Sequence, residues 1–381
     1  MKQDRSIDAF LALVKAGLWE NESVRPWSED QGPDTVNWDK VFQLAEEQSV
    51  TGLVAAGIDW LKVHEPGFKV SQKVSLQFIG ATLQMEQRNR AMNEFLAKLV
   101  EKLRNAGVYA LLVKGQGIAQ CYERPLWRAS GDVDLFLSDE NYGKAKAFLL
   151  PLGELEEPEE SAKMHLSLKI GTWIVELHGT LRGGLSARVD RTLDEVKNDV
   201  FYGGCVRSWM NDRTQIFMPD VNCDVVYVFS HILQHFFKGG IGLRQICDWC
   251  RLLWTYRDAI DKSYLETRLK SMRLMSEWHA FAALAVDCLG MPADALPMYS
   301  PDARWKRKAS RMMTFILEVG NFGHNRDLTY MDKYPYVVRK AVSAWRRGKD
   351  LFRHARIFPL DSGRFFLGIM FNGFVSALKG E

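Results

Sequence analysis

The sequence predicts an α+β protein: a short zone of interleaved strands and helices, about residues 107–185, set between helical regions of about 1–106 and 186–381. Three observations carry that expectation. Apolar residues recur at helical spacing on both flanks. In the middle zone the pattern changes to short apolar runs and period-two alternation, the spacing of strands. Those strands alternate with helical stretches, so the middle zone reads as the α/β part of the chain.

In the first region Ser6 can cap a helix with Asp8 in its first turn and Phe10, Leu11, Leu13, Val14 and Leu18 at helical spacing. A polar loop, Glu20 to Asn37, carries Pro26, Gly32 and Pro33 before helical patterns resume at Trp38. A long helix runs from about Val70 to Asn105 and ends at Gly107, since glycine readily takes the left-handed turn that closes a helix. Val108 to Val113 follows as a short apolar run, the look of a buried strand. Gly115 to Tyr122 reads as a helix, and Glu123 to Gly131 as a loop with Pro125. Val133, Leu135 and Leu137 alternate with Asp132, Asp134 and Phe136, which is a strand pattern. Asn141 to Leu150 is helical and Gly153 to Glu160 a charged loop. His165–Ile170 and Trp173–His178 form a hairpin turned at Gly171. Asp224 to Phe237 and Leu243 to Trp254 are the clearest helices of the last region. A basic segment, Lys333 to Arg356, reads as a solvated helix face, with a surface for an anionic partner as the alternative. Phe365, Phe366, Phe371 and Phe374 have spacings that suit one helical face and core or oligomer packing.

A chain of 381 residues is long enough for two or three domains and a substantial core. Charged residues at 25% and hydrophobic residues at 47% are ordinary for a soluble globular protein. A net charge of +3 is too small an excess to predict a nucleic-acid surface. No run of about 18 apolar residues occurs, so no membrane span is expected. The N-terminus lacks the apolar core and small-residue cleavage site of a signal peptide. Six cysteines without such a signal point to a reducing cytoplasm. Cys247 and Cys250 form an isolated CxxC inside an apparent helix, with no second pair to complete a structural zinc site. They read as small buried residues.

The stretch Leu111 to Leu137 carries the most chemistry. On a strand, residues i and i+2 face the same way, so Asp132 and Asp134 project together from an otherwise apolar strand. Two like charges side by side repel and are costly to desolvate. A divalent cation removes the conflict, and hard oxygen ligands suit magnesium (Mg2+) or manganese (Mn2+). An isolated Asp-x-Asp is common at strand ends, so its context matters. The preceding strand runs directly into Lys114-Gly115-Gln116-Gly117 and then a helix. Glycines admit close backbone approach, and helix N–H groups face an anion. The spacing is not that of a P-loop. Glu176 supplies a third carboxylate and shares a strand face with Ile174 and His178. Paired antiparallel beside the Asp132 strand, it would reach the same metal. The alternative is an edge-strand charge facing water.

Lys114-Gly115, Tyr122, Arg128 and Gly131-Asp132-Val133-Asp134-Leu135 stand in a pattern that resembles the uncharacterised nucleotidyltransferase family of the DNA polymerase β-like superfamily. Val175-Glu176-Leu177-His178 is similar to that family's later acidic strand. His231, His235 and the stretch Leu243 to Asp248 resemble its C-terminal helical part, and the likeness covers about residues 40–255. The resemblance implies a small mixed β-sheet nucleotidyltransferase core flanked by N- and C-terminal helical domains. It implies transfer of a nucleotidyl group from a nucleoside triphosphate (NTP) to an acceptor hydroxyl. By that resemblance Asp132 and Asp134 bind both metals, and Glu176 completes the acceptor-side metal and helps activate the hydroxyl. Lys114, the Gly115 backbone and Arg128 would hold triphosphate oxygens, with Gln116 and Gly131 beside them. The superfamily usually has Gly-Ser at this helix start, where the hydroxyl assists phosphate binding; here the residues are Gly115-Gln116.

The residues suit that chemistry on their own terms. Nucleotidyl transfer needs positioning and charge neutralisation more than covalent help, and two cations about 3.5–4 Å apart stabilise attacking and leaving oxygens together. Two other classes stay open. Gln116 favours a catalytically silent nucleotide-binding or regulatory module of the same fold. His231 and His235, at i and i+4 on one helix face with Asp248 further on, suit a metal-dependent hydrolase. Against it, Ile232 stands where the zincin pattern needs Glu, and packed or hydrogen-bonded histidines are the plainer account. His178 either orients a ligand or a carboxylate, or sits at a domain junction.

Overall fold

Small residues let the N-terminal helices touch backbone to backbone. In the computed structural model, which describes residues 5–20, 36–161, 164–321 and 336–368, α1 (Arg5–Trp19) crosses α3 (Thr51–His64). A Cβ at Gly17 would lie 1.9 Å from the Leu53 carbonyl oxygen, and one at Gly57 2.1 Å from that of Leu13. Ser6 lies inside the first turn of α1 and not at its cap. Its hydroxyl instead accepts the Asn37 amide at 3.1 Å, and Asn37 caps α2 (Trp38–Glu47). Pro26, Gly32 and Pro33 lie outside the described residues. The long α4 (Gln72–Asn105) begins at Ser71, whose hydroxyl accepts the Val74 amide.

The middle of the chain builds one sheet from β1 (Leu111–Val113), β2 (Asp132–Phe136), β3 (Glu154–Leu155), β4 (His165–Ile170) and β5 (Trp173–His178). Their order is β1-β2-β5-β4-β3. The neighbours β1–β2, β5–β4 and β4–β3 are antiparallel, whereas β2 and β5 are parallel. The sheet is therefore small and mixed. The expected antiparallel pairing of the Glu176 strand with the Asp132 strand is corrected to parallel. After β2 the chain leaves through α6 (Asp139–Leu149), forms β3 and β4 on the far side, and reverses at Gly171 into β5. That reversal sends β5 back in the direction of β2. Nor is Glu176 on an edge, because β5 lies between β2 and β4.

Period-two alternation divides the sheet into two faces. Leu112, Val133, Leu135, Leu166, Val175 and Leu177 are fully buried in one apolar cluster with Met92 and Leu96 of α4 and Ala145 of α6. On the other face Leu111, Val113 and Phe136 join a larger cluster that runs from Ala9 to Phe365. The polar end of that second face holds the carboxylates. One strand and one helix expectation change at their margins: β1 begins only at Leu111, and α5 (Gly115–Ala119) is five residues long, ending before Tyr122.

After α7 (Ala187–Phe201), a second hairpin appears in the region read as helical: β6 (Val206–Asn211) and β7 (Thr214–Pro219). Asp212 takes a left-handed φ of 53° in its two-residue turn, the conformation such hairpins demand. α8 (Val221–Lys238) is capped by Asp220, whereas α9 (Leu243–Thr255) has no side-chain cap from Gly242. Gln48, fully buried, supplies the missing acceptors: its Oε1 takes the Leu243 amide at 3.0 Å and its carbonyl the Arg244 amide at 3.3 Å. The N-terminal helices thereby position α9. α10 (Lys262–Met272), α11 (Met275–Ala283), α12 (Ala303–Val319) and a helix at Tyr336–Ala355 complete the C-terminal part. Within the basic segment Arg353 pairs with Glu318 at 2.8 Å, and Lys333 lies outside the described residues. Phe365 packs on Phe237, ring centroids 4.9 Å apart, whereas Phe371 and Phe374 lie outside the described residues. No helix among the described residues is long and apolar enough to cross a membrane.

The N-terminal helices also hold the loop that leads into β2. A Cβ at Gly52 would meet the Trp127 carbonyl oxygen at 1.9 Å. Asn89 of α4 donates to the carbonyls of Leu126 and Arg128, both at 2.8 Å. Gly52→Ala should therefore cost roughly 1–3 kcal/mol, because rigid backbone cannot make room. Gly80→Ala, in open space on α4, should stabilise by about 0.5–1 kcal/mol through helix propensity. Thermal unfolding of the two variants separates them; equal midpoints would contradict the close contact.

Candidate functional site

Strand register assembles the site. Asp134 stands opposite Glu176 in the parallel β2–β5 pair, and Asp132 lies two residues earlier on the same face. One carboxylate oxygen from each of Asp132, Asp134 and Glu176 lies within 4.8 Å of the other two. Asp134 is only 2% exposed. Lys114 Nζ and His178 Nε2 both sit 2.8 Å from Asp134 Oδ1. Lys114 is the junction between β1 and α5 and holds φ 56°, ψ −143°, a region that L-residues seldom occupy and that costs about 1–3 kcal/mol. The sharp turn there delivers its ammonium to the carboxylates.

Charge crowding shows in the titration of these groups. The neighbouring Asp134 charge, with burial, pushes Asp132 up to about 6, against the pull of Lys114. Burial opposes the charged forms of Lys114 and His178. The surrounding carboxylates, Asp134 foremost, outweigh it and raise both. Burial likewise works to raise Glu176, but hydrogen bonds from His165 and His178 hold it well below the usual carboxylate range. Their Nε2 atoms lie 3.4 Å and 3.3 Å from Glu176 Oε2. His165 is a site residue that the sequence reading missed. Its signal was the hairpin register, which sets it directly opposite His178.

Two cavities adjoin the carboxylates and share Lys114, Asp132 and His231 as walls. The larger, about 230 Å³, adds Glu176, His165, His178, Tyr227, Gln234 and His235. The smaller, about 60 Å³, adds Gly115, Arg128, Asp134, Arg244 and Asp248. A separate apolar cavity of about 280 Å³ lies against α4 and α7, and no carboxylate or histidine lines it.

The other expected residues are placed as follows. Gly115 takes φ +37°, whereas Gly131 faces open space. Gln116 is buried; its Nε2 donates to the Asp132 carbonyl at 3.5 Å, and its Oε1 has no hydrogen-bond partner among the described residues. Arg128 grips Asp248 with two hydrogen bonds, Nε–Oδ1 at 3.0 Å and Nη2–Oδ2 at 2.6 Å. Its Nη1 donates to the Ala129 carbonyl and the Ser130 hydroxyl. Tyr122 donates to the same Asp248 at 2.7 Å. Tyr122, Arg128 and Asp248 are thus one buried polar unit. The expectation of Asp248 as a third ligand for His231 and His235 is corrected, because its carboxylate is spent on Arg128 and Tyr122. The two histidines face each other, Nε2 to Nε2 at 3.0 Å. Burial depresses both, His235 to about 4, so both are neutral near pH 7. Among the described residues they join no metal-ligand group with Asp248. Cys247 and Cys250 are buried, with thiols pushed up by burial, in keeping with a packing role.

Arg244 was not singled out from the sequence as a site residue. Its Nη1 donates to the Ala129 carbonyl at 3.0 Å, and its buried Nε has no hydrogen-bond partner among the described residues. It stands four residues before Asp248 on α9, a spacing that places both on one helix face. The buried Arg128–Asp248 pair yields a stability test. Asp248→Ala should cost about 3–5 kcal/mol, because it strands a buried guanidinium. Arg128→Met with Asp248→Leu should recover most of that loss in denaturant unfolding. A single variant as stable as the parent would contradict the pairing.

A family model described as uncharacterised nucleotidyltransferase matches residues 34–290. No curated protein and no solved structure matches the chain. The matched span runs from ahead of α2 to beyond α11 and contains both cavities' carboxylates, Lys114, the four cavity histidines and Arg244. The chain belongs to this uncharacterised nucleotidyltransferase family.

Proposed function

We propose that the protein transfers a nucleoside monophosphate from an NTP to an acceptor hydroxyl, releasing pyrophosphate, with divalent cations held by Asp132, Asp134 and Glu176. The observation that carries this reading is the convergence of three carboxylates from two adjacent parallel strands against Lys114. The donor set fits the ion. All three ligands are hard oxygens, as Mg2+ and Mn2+ prefer, and Asp132, raised to about 6, marks negative charge that a cation would relieve. Asp132 and Asp134 would hold both ions and Glu176 the one on the acceptor side. Bound there, the cations supply charge stabilisation for the attacking and leaving oxygens.

The chain's own groups do the positioning. Lys114 and Arg244 bring positive charge to the smaller cavity, where they neutralise triphosphate oxygens. Arg128, committed to Asp248, acts as a positioning residue: it fixes the loop ahead of Gly131 and the start of β2. The larger cavity receives the acceptor. Glu176 stays ionised and orients the attacking hydroxyl as a hydrogen-bond acceptor. The oxygen–phosphorus bond to the acceptor forms as the bond to pyrophosphate breaks, a step that needs in-line placement and little covalent help.

Two observations favour a second reading, a silent nucleotide-binding module. Gln116 replaces the phosphate-binding hydroxyl, and Lys114 with His178 already compensates Asp134. The experiment is transfer of label from α-phosphate-labelled NTPs, beside calorimetric NTP binding. The enzyme reading expects Asp132→Asn and Asp134→Asn to lose at least about 100-fold in transfer, more than outer-shell changes of about 10–100-fold, with thermal midpoints retained. NTP binding without transfer in the parent protein would favour the silent module.

A pH dependence follows from Asp132. The carboxylate must be deprotonated to hold a cation, and its proton leaves at about pH 6. Mg2+ affinity should therefore be full at pH 7.5 and fall as the pH is lowered through about 6. Calorimetric titration at pH 7.5 and 5 measures it; equal affinities would contradict Asp132 as a ligand.

A further inference from the structure

Four of the eight histidines in the chain, His165, His178, His231 and His235, line the cavity of about 230 Å³. An all-oxygen magnesium site has no use for imidazole, a donor that suits zinc and its transition-metal neighbours. Two of the four are set by the β4–β5 hairpin, where His165 stands directly opposite His178 and Glu176 lies two residues before His178 on the same face. Each directs its Nε2 at one oxygen: His165 at 3.4 Å and His178 at 3.3 Å from Glu176 Oε2. Both separations exceed the roughly 2.7–2.9 Å of a charge-assisted N–H···O hydrogen bond. As well as allowing long hydrogen bonds, they match the edge of a tetrahedron whose centre lies about 2.0–2.1 Å from each ligand, an edge of about 3.3 Å. One ligand atom from each of the three residues lies within 4.8 Å of the others.

We propose that His165, His178 and Glu176 form a second, nitrogen-bearing metal site that takes a zinc-class divalent cation, beside the all-oxygen cluster and sharing Glu176 with it. Three protein ligands with a face on the cavity make the open arrangement, in which a fourth position remains for water or substrate. The site stands on the hairpin geometry and does not depend on nucleotidyl transfer.

The test uses the full chain, freed of metal by dialysis against a chelator and titrated with Zn2+ against a chromophoric competitor, with Co2+ as the spectroscopic substitute. The proposal expects one Zn2+ per chain, not displaced by millimolar Mg2+. It expects an intense tetrahedral visible band for the cobalt form, with two hyperfine-shifted exchangeable imidazole N–H resonances. His165→Ala should lose the band and weaken Zn2+ binding by at least about tenfold, with its fold checked by circular dichroism. Asp132→Asn should keep the band while losing transfer, which separates this site from the proposed reaction. A band or Zn2+ affinity unmoved by His165→Ala overturns the proposal. Should that variant fail to fold, the parent cobalt spectrum decides: a weak octahedral band without shifted imidazole protons overturns the site equally.

Discussion

The parallel pairing of β2 with β5 sets Asp134 against Glu176 on an interior face of the sheet, and like charges so placed repel. The opposite face holds them there. It is a continuous apolar surface, Val133 and Leu135 beside Val175 and Leu177, packed on α4 and α6. A one-residue slip of either strand would turn that surface into the polar cleft and the carboxylates into the core. Hydrophobic burial on one side thus fixes an electrostatic conflict on the other. Lys114 and His178 relieve part of it through Asp134; Asp132 keeps a raised affinity for its proton.

The helices around the sheet serve as its brackets. Gln48 caps α9 from the N-terminal side, and α9 carries Arg244 and Asp248. Asn89 and the bare backbone at Gly52 pin the loop that leads into β2. Arg128 reaches from that loop to Asp248, and Tyr122 closes the triad. Residues far apart in sequence are therefore coupled through buried polar contacts, each costly to leave half made. The family match, which spans these elements, fits a unit in which helices and sheet form the site together.

Much of this was legible along the chain because it is local. The strand alternation around Asp132, the hairpin at Gly171 and the helices bearing His231 and Asp248 are patterns within a few residues. What escaped is long-range or marginal. The direction of β5 relative to β2 depends on where the chain passes after α6, which no local pattern encodes. The β6–β7 hairpin was hidden among helical neighbours, although Asp212 marks its turn. Asp248 and the histidines share plausible ligand chemistry, and only three dimensions show the carboxylate given to Arg128. His165 and Arg244 lacked a motif, and both are found by their partners: His178 across the hairpin, and Asp248 four residues on.

The central claim is that three carboxylates converge to hold divalent cations beside a triphosphate. A crystal structure with Mn2+ and a non-hydrolysable NTP, located by the anomalous signal of manganese, tests it most directly. The account predicts manganese bound by Asp132, Asp134 and Glu176 with phosphate oxygens beside Lys114. Manganese elsewhere, or a triphosphate seated away from these carboxylates, would contradict it.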